Sequence, residues 1–310
     1  VAISEPQSYV FVSGFVSDDD TGELDPLMVL ESHAEPPAPP TGGEYCLTFY
    51  DPGESPLATY CFDSSFTNPE WEGSASSAYF VYLLPHPEGA TRLALFHGET
   101  LLAERAASPS APELSLESPS GGETWYSIQT VAWAAEDADG DDLTFAVFYS
   151  NDGGDTWMPI ATDLAETTYR LDTTSLPGGE EALIRVLVSD GFHTTAADSP
   201  PFSVPTKAPD VYVTAPSEGA LLPPEQAAYL DGSAYDAEDG PLSGAALSWW
   251  SDRDGLLGRG TPLIVPGLTL SPGWHTLTLR AADSESQIGS ASVNLFVGHR
   301  AYLPVILKSY

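Results

Sequence analysis

Apolar and polar residues alternate along most of this chain with a period of two, in short runs cut by Gly, Pro, Asp and Ser. Before residue 107 the runs are Tyr9–Val16, Leu27–Leu30, Tyr45–Tyr50, Leu57–Phe62, Ala78–Leu84, Arg92–Phe96 and Leu101–Arg105. A period of two places successive side chains on opposite faces of an extended backbone, so each run predicts a half-buried β-strand. Further runs follow at Val131–Ala134, Leu143–Tyr149, Tyr169–Leu171, Ala182–Ser189 and Phe202–Val204. The last set is Val211–Thr214, Leu247–Trp250, His275–Ala281 and Ala291–Val297. The 27 glycines and 28 prolines are spread along the chain, as many short strands and turns require and long helices do not allow. The expected class is all-β.

Landmarks recur at a fixed interval. Ala111-Pro112, Pro119-Ser120 and Gly122 return 97 residues later as Ala208-Pro209, Pro216-Ser217 and Gly219. About a hundred residues holding seven or so short strands is the size of a β-sandwich. The reading is three such modules, 1–107, 111–205 and 208–298, followed by an apolar, strand-like tail, 299–310. Hinges are expected at Ala106–Pro112 and Pro205–Pro209, and the proline run Glu35–Pro40 is expected as a surface crossover. Trp133 is a predicted core residue. Trp249 and Trp250, adjacent on one strand, must point to opposite faces.

Charge narrows the partners. Forty-five acids against ten bases leave a formal charge of −35, and Lys207 and Lys308 are the only lysines. Nucleic acid is excluded as an expected partner, because binding it needs Lys and Arg at the phosphates. Anionic membrane surfaces are disfavoured for the same reason, and no apolar run is long enough to insert into a membrane. Self-repulsion of this size is relieved by salt or by bound cations. The start at Val1, with no initiator Met, leads us to expect an exported chain with its leader removed.

Cys46 and Cys61 flank a predicted six-residue turn, Asp51–Pro56, that pairs Tyr50 with Leu57, Thr48 with Thr59 and Cys46 with Cys61. Directly opposed antiparallel residues can be bridged, so a disulfide is expected; two buried free thiols are the alternative. The spacing does not fit a redox or zinc CxxC.

Through Ser118–Trp125, Asp137–Leu143, Tyr149–Trp157 and Ser189-Asp190-Gly191, the second module resembles the immunoglobulin-like and fibronectin type III-like repeats of bacterial secreted proteins. Through Leu247–Gly255 and Pro272–Leu277, the third resembles bacterial Ig-like or polycystic-kidney-disease-type repeats. The resemblance implies tandem Ig-like sandwiches over two-thirds of the chain. It does not imply a reaction, because such modules serve as spacers, adhesins, fibre subunits and enzyme appendages alike.

Asp137, Asp139 and Asp141 alternate along one turn and could converge on a hard cation, with calcium the expected cofactor. In an Ig-like module the loop holding Asp190 lies at the same pole, so Asp190 joins the set. Asp236, Glu238, Asp239 and Asp283 are the corresponding candidates in the third module. Solvated acidic turns are the alternative at both places. Asp18–Asp25 reads as a plain turn. Ser150–Trp157 fits the Asp-box pattern S-x-D-x-G-x-T-W of sialidase-type propellers, but it occurs once and reads as structural. No H-E-x-x-H, G-x-S-x-G or phosphate loop is present, and the six histidines are scattered, so no enzyme is expected.

The expected function is that of a secreted, non-catalytic structural or adhesive protein at the cell surface. Its joints would be braced by calcium. Itself and cell-surface polysaccharide are the expected partners. The tail residues Tyr302, Leu303, Val305, Ile306 and Leu307 would serve self-association into a fibre by strand addition, the alternative being a last strand docked on its own third module. The alternative is the C-terminal accessory region of a larger secreted hydrolase.

Overall fold

The computed structural model describes residues 7–32, 37–68 and 73–299. The chain is all-β, a tandem array of Ig-like sandwiches. Among the described residues the strands are interrupted by just two single-turn 3-10 segments, Thr173–Ser175 and Gly244–Ala246.

The first sandwich runs through β1 (Gln7–Ser17), β2 (Gly22–Leu24), β3 (Met28–Ser32), β4 (Tyr45–Tyr50), β5 (Pro56–Phe62), β6 (Thr67–Asn68), β7 (Gly73–Ser74), β8 (Ser77–Pro85), β9 (Arg92–His97) and β10 (Thr100–Ala106). One sheet is built on β1, which pairs with β2 and β3 along one side and with β8 along the other. The second has the order β10-β9-β4-β5, and β6 and β7 form a small hairpin. Alternation does its work here: Val10, Val12 and Val16 of β1 meet Leu47, Phe49, Leu93 and Leu95 in a core closed to solvent.

Cys46 and Cys61 are directly opposed and joined, with Cα atoms 4.0 Å apart. The predicted register holds at Thr48 and Thr59, whose hydroxyls are 3.2 Å apart. It fails at the turn. A bulge between Phe49 and Tyr50 pairs Tyr50 with Pro56 rather than Leu57.

The second sandwich comprises β11 (Glu113–Ser118), β12 (Ile128–Glu136), β13 (Thr144–Ser150), β14 (Met158–Leu164), β15 (Thr168–Asp172), β16 (Gly179–Ser189), β17 (Thr194–Asp198) and β18 (Phe202–Val204). Its sheets have the orders β11-β12-β15 and β14-β13-β16-β17. Trp133 is buried as expected, its ring centroid 5.4 Å from that of Phe145.

The third comprises β19 (Asp210–Ala215), β20 (Ala220–Leu222), β21 (Ala228–Asp236), β22 (Gly240–Leu242), β23 (Leu247–Ser251), β24 (Gly255–Arg259), β25 (Leu263–Val265), β26 (Gly273–Ala282) and β27 (Ile288–Val297). One sheet is β19-β21-β22 with β25 on β21; the other is β20-β27-β26-β23-β24. Trp249 is buried between them, and Trp250 points away, covered by the Arg280 guanidinium 5.0 Å from its ring.

The contacts divide the chain into two compact units. One is Val1–Thr124, Ile128–Leu171 and Glu181–Phe202; the other is Trp125–Ser127, Asp172–Glu180 and Ser203–Tyr310. The first unit therefore contains the first sandwich and most of the second, and their junction is knitted. Phe192, from the loop after β16, is buried in the first sandwich's core. Leu27 N–H donates to the Gly191 carbonyl at 3.1 Å, and Val29 N–H donates to the Thr194 hydroxyl at 2.8 Å.

The expected hinge Ala106–Pro112 is likewise held on both sides. Ala107 N–H donates to the Thr91 carbonyl at 2.8 Å, and Thr195 donates its hydroxyl proton to the Pro112 carbonyl at 2.7 Å. Backbone groups that a free hinge would leave to water are bonded to protein, so this segment is a strap rather than a hinge.

Candidate metal centre

The strand-to-strand turn after β12 contains Asp137-Ala138-Asp139-Gly140-Asp141. Asp137 organises it. Its Oδ1 atom accepts from the backbone N–H groups of Asp139 at 2.9 Å and Asp141 at 3.1 Å, an Asx turn that Asp forms readily. Gly140 sits at φ +80, where a side chain would be strained.

The loop after β16 supplies Asp190, whose side chain is 1% exposed. Its Oδ1 accepts from the N–H groups of Phe192 at 2.8 Å and His193 at 2.7 Å. Its Oδ2 lies 2.9 Å from His193 Nδ1 and accepts from the Ser108 hydroxyl at 3.3 Å.

These two loops bring Asp137, Asp141 and Asp190 together, with one carboxylate oxygen from each lying within 4.8 Å of the others. It is the one such group of three among the described residues. Asp137 Oδ2 is buried and has no hydrogen-bond partner. Burying a carboxylate oxygen unpaired is costly, and a hard cation supplies the missing interaction while neutralising three mutually repelling charges. The residues fit calcium: two carboxylates from the turn after β12 and one from the loop after β16 offer it hard oxygen ligands.

Asp139 does not join them. Its Oδ2 accepts the Ser110 N–H at 2.8 Å, so it ties the turn to the strap. Ser108, Ser110 and His193 are the partners the sequence reading missed. Serines in a Pro-Ser linker carry no local signal of such a role, whereas His193 stands three residues after Asp190 in the same loop, a local spacing that could have flagged it.

In the third sandwich, Asp236 is buried and its Oδ1 accepts from Glu238 N–H and Asp239 N–H, both at 2.9 Å. Asp239 turns instead to Ser284, accepting from its N–H at 2.7 Å and its hydroxyl at 2.9 Å. Asp283 Oδ1 accepts from Glu285 N–H and Gln287 N–H. These four acids do not form a converging trio of the kind seen at Asp190. Tyr302, Leu303, Val305, Ile306 and Leu307 lie outside the described residues.

The Asp-box turn is self-satisfied. Ser150 donates to Asp152 Oδ1 at 2.7 Å, and Thr156 N–H donates to the same oxygen at 2.9 Å. Burial works to raise the Asp152 pKa, but bonds from Thr156 and Ser150 outweigh it and hold the carboxyl below its usual range. Trp157, at the end of the turn, is stacked by the Arg185 guanidinium 4.2 Å away, which in turn grips Asp198 at 2.6 and 2.7 Å. The turn is structural.

No family model and no curated protein matches the chain. Among solved structures it is similar to the fibronectin(III)-like modules of Clostridium thermocellum CbhA, with 18% identity over 62% of this chain and 100% of that one, at a TM-score of 0.26. It is also similar to the FN1-FN3 domains of chicken CNTN1, with 12% identity over 95% and 99% of the two chains and a TM-score of 0.24. The N-terminal four Ig domains of Dscam1 isoform 7.44 give 10% identity over 94% and 66%, at 0.31. At these identities and scores the likenesses carry no functional argument, and the reading of the site stands on its own residues.

Proposed function

We propose that this chain is a secreted, non-catalytic structural or adhesive array whose first junction is braced by calcium. The buried, unpartnered Oδ2 of Asp137 in the Asp137–Asp141–Asp190 cluster carries the reading. Ser108 bonds to Asp190, and Ser110 to the turn that contains Asp137 and Asp141. A cation held by the cluster would therefore tighten the strap between the first two sandwiches without touching either core.

The outward face of β1 and β8 supports the adhesive part. Tyr79 is 82% exposed and Val81 59%, with Phe15 beside Tyr79 at a ring-centroid distance of 6.1 Å. Exposed apolar groups gathered on one sheet face mark an interaction surface. The disulfide fits an oxidising, extracellular setting.

Calorimetric melting with calcium and with EDTA at matched ionic strength tests the brace. Calcium raises the melting temperature of the first unit in the wild type by mass action, and Asp141→Asn removes that rise. An equal rise in the variant, or none in the wild type, overturns the reading.

A further inference from the structure

Buried acids in the second unit present a separate problem of charge. Asp236 is 1% exposed, and its Oδ2 has no hydrogen-bond partner. Glu238 Oε1 accepts the Gly178 N–H, while its Oε2 is also buried and unpartnered. The Glu238 carboxyl is pushed above the usual carboxylate range by burial first and by its neighbour Asp236 as well. Asp283 Oδ2, in the turn that Asp239 fastens through Ser284, is a third buried oxygen without a partner.

Among the described residues the one lysine, Lys207, does not pair with them. Lys207 Nζ donates to the carbonyls of Leu176 and Pro205, the latter at 3.1 Å, although its charge is felt by both Glu238 and Asp236. Burial pushes the Lys207 pKa down. Three buried acceptors thus lack a donor, while the Lys207 ammonium is spent on carbonyl oxygens.

We propose that Asp236 and Glu238 hold a second divalent cation, with Lys207 as its built-in competitor. Two carboxylate oxygens give the hard, anionic core such an ion takes, and the ammonium is close by in the chain: Leu176, whose carbonyl holds it, is two residues from Gly178, whose N–H holds Glu238. The site is independent of the Asp137 cluster: no residue is shared, and the two belong to different compact units.

Calcium titration calorimetry on the full chain tests this. The wild type is expected to bind two ions, Asp141→Asn one and Glu238→Gln one; Asp141→Asn combined with Glu238→Gln binds none. Both Glu238→Gln and Asp236→Asn keep the oxygen that accepts backbone N–H groups, and near-ultraviolet circular dichroism confirms their folding. Lys207→Met removes a like charge and is expected to tighten the second site roughly ten-fold, leaving the first unchanged. If Glu238→Gln and Asp236→Asn both bind as the wild type does, or Lys207→Met leaves both affinities unchanged, the proposal is wrong. Loss of binding in Asp141→Asn alone, with Glu238→Gln unaffected, would uphold the first site and sink the second.

Discussion

The Ser189 hydroxyl donates to the Leu27 carbonyl, joining the last residue of β16 to the segment before β3, 162 positions apart. Ser189 is fully buried and also accepts the Gly191 N–H at 3.0 Å. Ser189→Ala strands both partners. It is expected to destabilise the first unit by about 1–3 kcal/mol, the cost of buried polar groups left unpaired. Urea unfolding followed by tryptophan fluorescence reads it, and an unchanged midpoint would show that water satisfies the two groups.

Phe192 lends its ring to a core that is not its own sandwich's. Phe192→Ala should cost about 3–5 kcal/mol, and the loss should appear in probes of both sandwiches of the unit. Hydrogen exchange at β1 and β13 would show it; protection lost in one strand alone would mean that the two sandwiches open independently.

The Cys46–Cys61 bond closes a loop with a sequence separation of 15. Replacing both cysteines by serine should lower stability by about 3 kcal/mol in the chain-entropy account. Guanidinium unfolding of the oxidised wild type against the double variant measures it, and equal midpoints would contradict the account.

Asp152 gives a pH dependence with a definite sign. Its folded pKa lies below its unfolded value, so its ionised form is favoured in the native state. Its contribution is present above the unfolded pKa and is lost as pH falls through the folded one. Asp152→Asn should therefore be less stable than the wild type at neutral pH and draw level with it in acid. A difference that persists unchanged to the lowest measurable pH would point to shape rather than charge.

Long alternating runs were legible because they are local. Tyr45–Tyr50 emerges with its expected bounds, and β1, β8 and β16 differ only at their ends. Short edge strands such as β2, β20 and β22 escaped notice, since three residues carry too little periodicity and owe their conformation to a neighbour. The pairing of Asp137 and Asp141 with Asp190 was legible once an Ig-like pole was assumed. Neither the turning of Asp139 to Ser110 nor the binding of Ser108 could be read, because both depend on how one sandwich meets the next. Trp250 followed the alternation rule outward, but its cover, Arg280, comes from a strand whose register no local pattern reveals.

β5 is the outermost strand of its sheet, and Cys61 fastens it to β4 through Cys46. Partners that invade a sandwich by displacing its edge strand must first peel that strand away. Here the peeling is covalently blocked for as long as the bond stays oxidised. An incoming segment could lie alongside β5 as a fifth strand, but it could not take the place of the fourth. This edge is open to growth and closed to exchange.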